Sequence, residues 1–578
     1  MARTVGIGIQ DFERLVSENI FYVDKTDFIR EWWESKDAVT LITRPRRFGK
    51  TLNISMLNRF FSNRFAGAGS VFEGLSIWEH EEYRNLQGTY PVINLSFANV
   101  KETTFEKTCQ KFFELIIDLY SEFGFLLDSD ALSSSDKVYM HRVMDHMNEV
   151  DATLSIYRLS KFLYQYYGKK VIILLDEYDT PMQEAYVHGF WEEIVAFTRS
   201  LFNSAFKTNP WLERAVMTGI TRVSKESIFS DLISLDMPYG IEVSFMDNLK
   251  VVTTTSDEYA TAFGFTESEV YAALEECGLA AEKEKVREWY DGFVFGTHAD
   301  IYNPWSIINF LDTGKYGTYW ANTSANGLVS KLIREGSSQI KTEFEQLLRG
   351  EHLWCAIDEQ IVYSQLDGNE AAIWSLLLAS GYLKVLDYER EDLVEDGAEV
   401  NYELALTNYE VKRMFYSMVR GWFQTTGGAY NDFIKALLLG DTDAMNVYMN
   451  RVASRAFSYF DTGKQPSEQE PERFYHGFVL GLMVELSEQY VITSNRESGF
   501  GRYDVMLEPK NPKENDAVII EFKVFNARRE TSLEYTVQAA LKQIEQKKYS
   551  ENLLAKGIPE ECIKKYGFAF EGKTVLIG

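Results

Sequence analysis

An α/β protein of several domains, organised first around a parallel sheet, is the fold class this sequence predicts. A β-rich stretch, residues 39–43, and an unbroken β-rich apolar run, residues 171–175, have the pattern of buried strands. Each empties into a polar turn and then a helical stretch, the order of a β-α unit. Length agrees, because 578 residues with 45% hydrophobic content are enough for several packed cores.

The first run leads into Arg44-Pro45-Arg46-Arg47-Phe48-Gly49-Lys50-Thr51 and then the helical stretch 52–61. This is the setting of a phosphate-binding loop. Backbone N–H groups and the helix N-terminus attract phosphate oxygens, Lys50 can reach the β/γ phosphates, and the Thr51 hydroxyl suits Mg²⁺. In G-x-x-x-x-G-K-[ST] the first glycine falls at Arg44. Arginine tolerates a left-handed backbone poorly and adds a bulky cation to a tight turn, so glycine at 44 is expected to raise affinity or turnover. The plain alternative is a basic strand-to-helix turn with a chance Gly-Lys-Thr.

The second run ends in Asp176-Glu177-Tyr178-Asp179. At the C-terminal end of a central strand Asp176 can hold Mg²⁺ through water, and Glu177 can polarise an attacking water. A helix N-cap cluster is the alternative. A third strand, 214–222, ends in Thr218-Gly219-Ile220-Thr221-Arg222. There Arg222, or Thr218 behind it, can sense a γ-phosphate; an ion pair of Arg222 with the acidic residues after Asp176 stays open. The cofactor-binding set is thus Arg46, Arg47, Gly49, Lys50, Thr51, Asp176 and Arg222, with ATP and Mg²⁺ as cofactors.

The loop 45–51, the strand 174–179 and the strand 218–222 together resemble the bacterial AAA-ATPase-like family, similar to the archaeal STAND-type ATPases. Trp289-Tyr290-Asp291-Gly292-Phe293, Tyr302-Asn303-Pro304-Trp305-Ser306 and Trp320-Ala321-Asn322-Thr323-Ser324 also resemble its pattern, so the match spans about the first 325 residues. The resemblance implies a P-loop NTPase core, with archaeal relatives carrying glycine where this chain has Arg44.

At the other end, 501–507 reads as a strand and 517–524 as its hairpin partner after a polar turn. Alternation puts Glu521 and Lys523 on one face. Asp504 and Glu521 brought together can bind a divalent metal, and Lys523 can orient or activate water beside it, a workable site for phosphodiester hydrolysis. A charged hairpin supplies the same residues without chemistry. The spacing resembles the PD-(D/E)XK nuclease family, with Tyr503 in place of the usual proline. A preceding helix, 474–489, offers Glu485, and a following helix, 536–549, offers Gln543; either is equally a solvated helix residue. Residues 494–499 and 543–545 also look like the nuclease-like domain that accompanies this ATPase family. The resemblance covers roughly the last 105 residues and implies a restriction-endonuclease-like α/β fold.

Between these ends the chain reads as mainly helical. Residues 267–289 suggest a lid, and a helix at 371–383, a hairpin at 384–407 and a helix at 409–422 suggest a winged helix whose acidic wing favours packing over DNA binding. The expected domains are 1–245 (ATPase-like), 246–345 (helical lid), 346–470 (winged-helix-like and helical) and 471–578 (nuclease-like). Residues 473–578 carry 15 Lys+Arg and 15 Asp+Glu, so the whole net charge of -27 lies upstream. A neutral nuclease-like end can approach a phosphate backbone where the acidic body cannot. Arg528-Arg529 and Lys547-Lys548 are candidate backbone contacts or simply solvated surface. Four dispersed cysteines, no signal segment and no 18-residue apolar run predict a cytoplasmic protein away from membranes. A homo-oligomer or protein partner stays open. The sequence thus predicts an ATP-regulated nuclease acting on nucleic acid, DNA ahead of RNA; the alternative is a nucleotide-dependent switch or scaffold whose nuclease-like fold binds without cutting.

Overall fold

The computed structural model describes residues 3–207, 209–221, 249–321, 326–335, 338–357, 366, 371–389, 400–424, 429–456, 479, 483, 486, 489–494, 497–498, 501–502, 504–512, 514–526, 529–571 and 574–578. They group into two compact units, Met1–Leu328 with His352–Val411, and Val329–Glu351 with Lys412–Gly578. Arg222, Glu485, Tyr503, Arg528 and most of the acidic wing lie outside the described residues.

The first unit is built on five parallel strands, β1 (Val39–Thr43), β2 (Val92–Ser96), β3 (Val171–Asp176), β4 (Leu212–Gly219) and β5 (Leu249–Val252), in the order β2-β3-β4-β1-β5. Every residue of β1 and β3 is buried, which is why both are dominated by β-branched and apolar side chains. β4 is inserted between them. The carboxyl ends of β1, β4 and β3 therefore lie side by side at the crevice where parallel sheets bind ligands. The helix Lys50–Phe61 begins directly at Gly49, whose φ of 81° is the left-handed backbone a glycine adopts freely. Ahead of the sheet, Asp11 caps the helix Phe12–Ser17 by accepting from Arg14 N at 2.7 Å, and Ser55 Oγ of the Lys50–Phe61 helix accepts from Phe12 N at 3.1 Å.

Beyond β5, the strands β6 (Phe265–Thr266), β7 (Phe293–Phe295) and β8 (His298–Tyr302) form a small antiparallel sheet. It packs with the helices Glu267–Glu276, Lys283–Tyr290 and Pro304–Thr313 around Val270, Leu274, Tyr290, Tyr302 and Phe310. The segment expected as a helical lid thus carries a small antiparallel sheet beside its helices. Farther on, β10 (Leu383–Tyr388) and β11 (Asn401–Leu406) pair as the expected hairpin, and β9 (Leu353–Ala356) adds a third strand on the other side of β11. The helix before the hairpin spans Ala371–Ala379, shorter than the periodicity suggests, because Gly381 takes a left-handed φ of 83° and turns the chain.

In the second unit β12 (Tyr490–Ser494), β15 (Val505–Pro509), β16 (Ala517–Val524), β17 (Ile563–Glu571) and β18 (Thr574–Ile577) form one mixed sheet in that order; β13 (Glu497–Ser498) and β14 (Gly501–Arg502) make a small hairpin. β16 and β17 are parallel, joined through the helix Leu533–Lys547 that packs on both. Asn446 and Asn450, one turn apart on the helix Thr442–Ala456, each exchange two hydrogen bonds with the backbone of β18, at 2.6–2.9 Å. Side-chain amides thereby satisfy an edge that would otherwise present unpaired N–H and C=O groups.

In the first unit, buried Glu410 accepts from Ser306 Oγ and Trp320 N, each at 2.7 Å, and from Ala321 N at 3.3 Å. Burial pushes its pKa up to about 7, against those hydrogen bonds. A folded-state pKa above the unfolded value of 4.5 means that the associated stability is present below 4.5 and lost as pH rises through about 7. The neutral isostere Glu410→Gln, which can keep all three hydrogen bonds, should therefore gain on the parent between pH 5 and pH 8 by up to roughly 3 kcal/mol, read from denaturant unfolding at each pH.

Candidate functional site

Between β1 and the helix at Lys50 the chain turns through residues 44–49, and this turn is held from outside. Arg44 is fully buried and donates to the carbonyls of Thr43 at 3.0 Å, Glu258 at 3.1 Å and Thr253, with its guanidinium 4.6 Å from the Phe295 ring centroid. Gly381 approaches Pro45 so closely that a Cβ there would lie 2.7 Å from Pro45 Cγ. Asn303 Nδ2 donates to the Arg46 carbonyl at 3.2 Å. Arg47 lies 4.2 Å over the Trp305 ring, and Phe48 packs edge-on against Phe293 at 4.8 Å.

These contacts correct the expectation for Arg44. The left-handed residues of the turn are Arg47 (φ 65°) and Gly49 (φ 81°), so position 44 does not need glycine. Nor does Arg44 line the cavity beside the turn. Burial lowers its pKa to about 9, opposed by Glu258, and the guanidinium remains a cation at neutral pH. It is a peg for the loop.

Lys50 is buried and its Nζ donates to the Arg44 and Pro45 carbonyls, each at 2.8 Å. Burial brings its pKa down to about 8, opposed by Glu177, Asp176 and Asp179. An ammonium held only by loop carbonyls can exchange them for phosphate oxygens. Thr51 Oγ1 donates to Asp176 Oδ2 at 2.7 Å, and Thr218 Oγ1 donates to Asp176 Oδ1 from the neighbouring strand. Burial raises the Asp176 pKa while the two hydroxyls oppose it. Two hard oxygen donors in contact on a buried carboxylate fit Mg²⁺, whose charge would favour the ionised form. Thr218 is thus engaged with Asp176.

Glu177 takes a left-handed φ of 51°, a strained backbone for this residue, and accepts from Thr180 Oγ1 at 3.2 Å. Asp179 is buried and its Oδ2 accepts from Ile220 N at 3.0 Å and from Thr221 N and Oγ1, each at 2.9 Å, pinning the two residues that follow β4. A cavity of about 410 Å³ is lined by Lys50, Thr51, Glu177, Asp179 and Ile220 from among these groups. Arg46, Gly49, Lys50, Thr51 and Glu177 line its polar end; Gly8, Ile9, Phe265, Trp305 and Ile308 line an apolar one. The size is that of a small-molecule site. The apolar wall is absent from the sequence-based set. Its signals were Gly6 and Gly8 interleaved with isoleucines ahead of a capped helix, and the N-cap pair Asn303-Pro304 before Trp305.

In the second unit Val505 pairs with Ile520, which brings Asp504 beside Glu521; Asp504 Oδ2 accepts from Phe522 N at 2.8 Å. Glu521 is buried. Gln543 joins the two residues that share its face of β16: Lys523 Nζ donates to Gln543 Oε1 at 2.7 Å, and Gln543 Nε2 donates to Glu521 Oε1 and, at 3.2 Å, to Tyr549 Oη. Gln543 is therefore part of the cluster and not a solvated helix residue. Tyr549, also buried, was missed because a tyrosine near a helix end carries no spacing signal. Two adjacent carboxylates suit a divalent cation. Among the described residues no group of three or more His, Cys, Asp or Glu side chains forms a metal-binding set. Lys548 pairs with Glu551 at 3.1 Å on an exposed surface.

Arg44→Gly should destabilise the first unit by about 2–5 kcal/mol, since three carbonyls, those of buried Thr43 and Thr253 among them, lose their donor and a cavity replaces the side chain. It should also weaken nucleotide binding. Thermal unfolding and calorimetry with ATP check both.

The family described as predicted AAA-ATPase matches residues 6–229, and the PD-(D/E)XK nuclease superfamily matches residues 470–578. An uncharacterized protein in the vnfD 5′ region of Azotobacter chroococcum mcd 1 is 24% identical over 411 residues, covering 70% of this chain and 68% of that protein. Among the described residues no helix is long and apolar enough to cross a membrane. The strand-turn-helix loop joined to a buried strand-end aspartate lies in the part of the chain that matches the predicted AAA-ATPase family, and the hairpin carrying Asp504, Glu521 and Lys523 lies in the part that matches the PD-(D/E)XK nuclease superfamily.

Proposed function

We propose that this protein binds ATP with Mg²⁺ at the loop 44–51 and uses that state to control metal-dependent cleavage of nucleic acid, DNA ahead of RNA, at Asp504, Glu521 and Lys523. The observation that carries the nucleotide half is the hydrogen bond to Asp176 from Thr51, a residue that lines the 410 Å³ cavity. Lys50 exchanges the loop carbonyls for β/γ-phosphate oxygens, Thr51 and Asp176 would hold Mg²⁺, and Glu177 orients the attacking water. Bound there, the ion neutralises charge on the phosphates. Ile9, Phe265, Trp305 and Ile308 offer the base an apolar wall.

In the nuclease-like unit, Asp504 and Glu521 would hold a divalent cation, which when bound lowers the pKa of water and polarises a phosphodiester. Lys523, oriented by Gln543, places a cation beside the water that attacks phosphorus. The even charge of residues 473–578 removes the repulsion that the acidic remainder would impose on a phosphate backbone.

Lys50→Ala should abolish ATP binding in calorimetry, and Glu177→Gln should keep binding while losing hydrolysis; equal hydrolysis in Glu177→Gln and the parent would remove Glu177 from this role. For cleavage, single- and double-stranded DNA and RNA are incubated with Mg²⁺ or Mn²⁺, with and without ATP. Asp504→Asn and Glu521→Gln should each lose cutting, and Lys523→Ala should lose cutting while keeping most metal affinity. Cutting at the parent rate in all three, with circular dichroism unchanged, leaves the nucleotide-dependent switch or scaffold.

A further inference from the structure

Arg46 and Arg47 are consecutive on the loop and both line the cavity, yet they have different partners. The left-handed backbone of Arg47 lays its guanidinium over Trp305, at the apolar wall. Arg46 bonds elsewhere. Its Nη2 donates to Gln183 Oε1 at 3.2 Å, on the helix Thr180–His188 that follows the Asp176–Asp179 carboxylates. Gln183 Nε2 in turn donates to Asp179 Oδ2 at 3.0 Å. Arg46 is also close enough to Lys50 to oppose its protonation. Neither arginine makes an ion pair with a carboxylate among the described residues. Arg46 and Lys50 thus line the cavity together with Glu177 and Asp179, and each is hydrogen-bonded to neutral oxygens.

We infer that Arg46 is a γ-phosphate contact, supplied in cis by the phosphate loop itself, that lets this site distinguish a nucleoside triphosphate from a diphosphate. The inference rests on the nucleotide reading above. The N–H groups at the helix start, and Lys50 through its β-phosphate contact, meet phosphates that both nucleotides carry. Arg46, bonded to Gln183, lines the same cavity as Glu177, where the terminal phosphate must lie for Glu177 to direct water at it. Exchanging the neutral Gln183 carbonyl for a phosphate oxygen gives a charge-assisted, bidentate-capable bond that a diphosphate cannot offer. With a diphosphate Arg46 stays on Gln183. With a triphosphate it releases Gln183, which is tied to Asp179 and through it to the backbone of Ile220 and Thr221 at the end of β4. The same arginine therefore reads the third phosphate and reports it to the chain leaving the sheet.

The test is calorimetry on the full chain with Mg²⁺ and either ADP or a non-hydrolysable ATP analogue, for the parent, Arg46→Ala, Arg46→Lys, Arg47→Ala and Lys50→Ala. The parent should prefer the triphosphate. Arg46→Ala should lose about 10- to 100-fold in triphosphate affinity and change ADP affinity by less than about 3-fold, with Arg46→Lys between the two. Arg47→Ala should weaken both nucleotides alike. Thermal unfolding without nucleotide checks that the variants are folded, and Arg46→Gln replaces Arg46→Ala if the latter melts early. Equal loss for ADP and the triphosphate analogue in the Arg46 variants, or no loss for the analogue, overturns the inference while leaving the nucleotide site in place. A parent that binds neither nucleotide, no better than Lys50→Ala, overturns the nucleotide reading and this inference with it.

Discussion

The buried guanidinium of Arg44, donating to the carbonyls of Thr43, Thr253 and Glu258, is the contact on which the rest of the first unit's site depends. A phosphate loop must present its N–H groups inward, which leaves its outer carbonyls and side chains to be satisfied by something else. Here the answer is a cation taken entirely out of water. Burying it is tolerable because its donors meet carbonyls, and Phe263 and Phe295 cover it. The loop backbone is thereby tied to the segment that follows β5, so its shape depends on residues more than 200 positions away.

The remaining supports extend this dependence. Asn303 holds the Arg46 carbonyl, Trp305 the Arg47 guanidinium, Phe293 the Phe48 ring and Gly381 the Pro45 ring. These partners belong to the small β6–β8 module and to the turn before β10. A nucleotide that rearranges the loop must therefore move against, or together with, both of those elements. Coupling of this kind needs no special relay; it follows from packing too dense to absorb a shift locally. Glu410 adds to the same assembly by joining Ser306, Trp320 and Ala321, which links the module to the helix after β11.

The second unit solves a related problem with amides. Gln543 is placed between an acid and a base of the same strand face, accepting from Lys523 and donating to Glu521, so each charge keeps a partner without neutralising the other. A direct Glu521–Lys523 pair would leave less ligating capacity for a cation. Asn446 and Asn450 use the same two-sided hydrogen-bonding ability to close the β18 edge.

How much was legible divides by the range of the interaction. The apolar runs, the turn chemistry of 44–51, the Asp176-Glu177 strand end and the Ala517–Val524 strand are local patterns, and a strand or a helix cap is determined by neighbours within a few residues; the sequence by itself determined those elements, their catalytic candidates and the neutral charge of the last hundred residues. Only the tertiary structure decided that Arg44 is a peg and not an obstacle, because its acceptors are backbone carbonyls, which carry no identity that a sequence can display. The same holds for the wall formed by Ile9, Phe265, Trp305 and Ile308, for Thr218 on Asp176, and for Gln543 and Tyr549 beside Glu521. In each case the partners meet through strand order or helix packing between distant segments, and apolar or amide side chains at those positions look in sequence like any others of their kind.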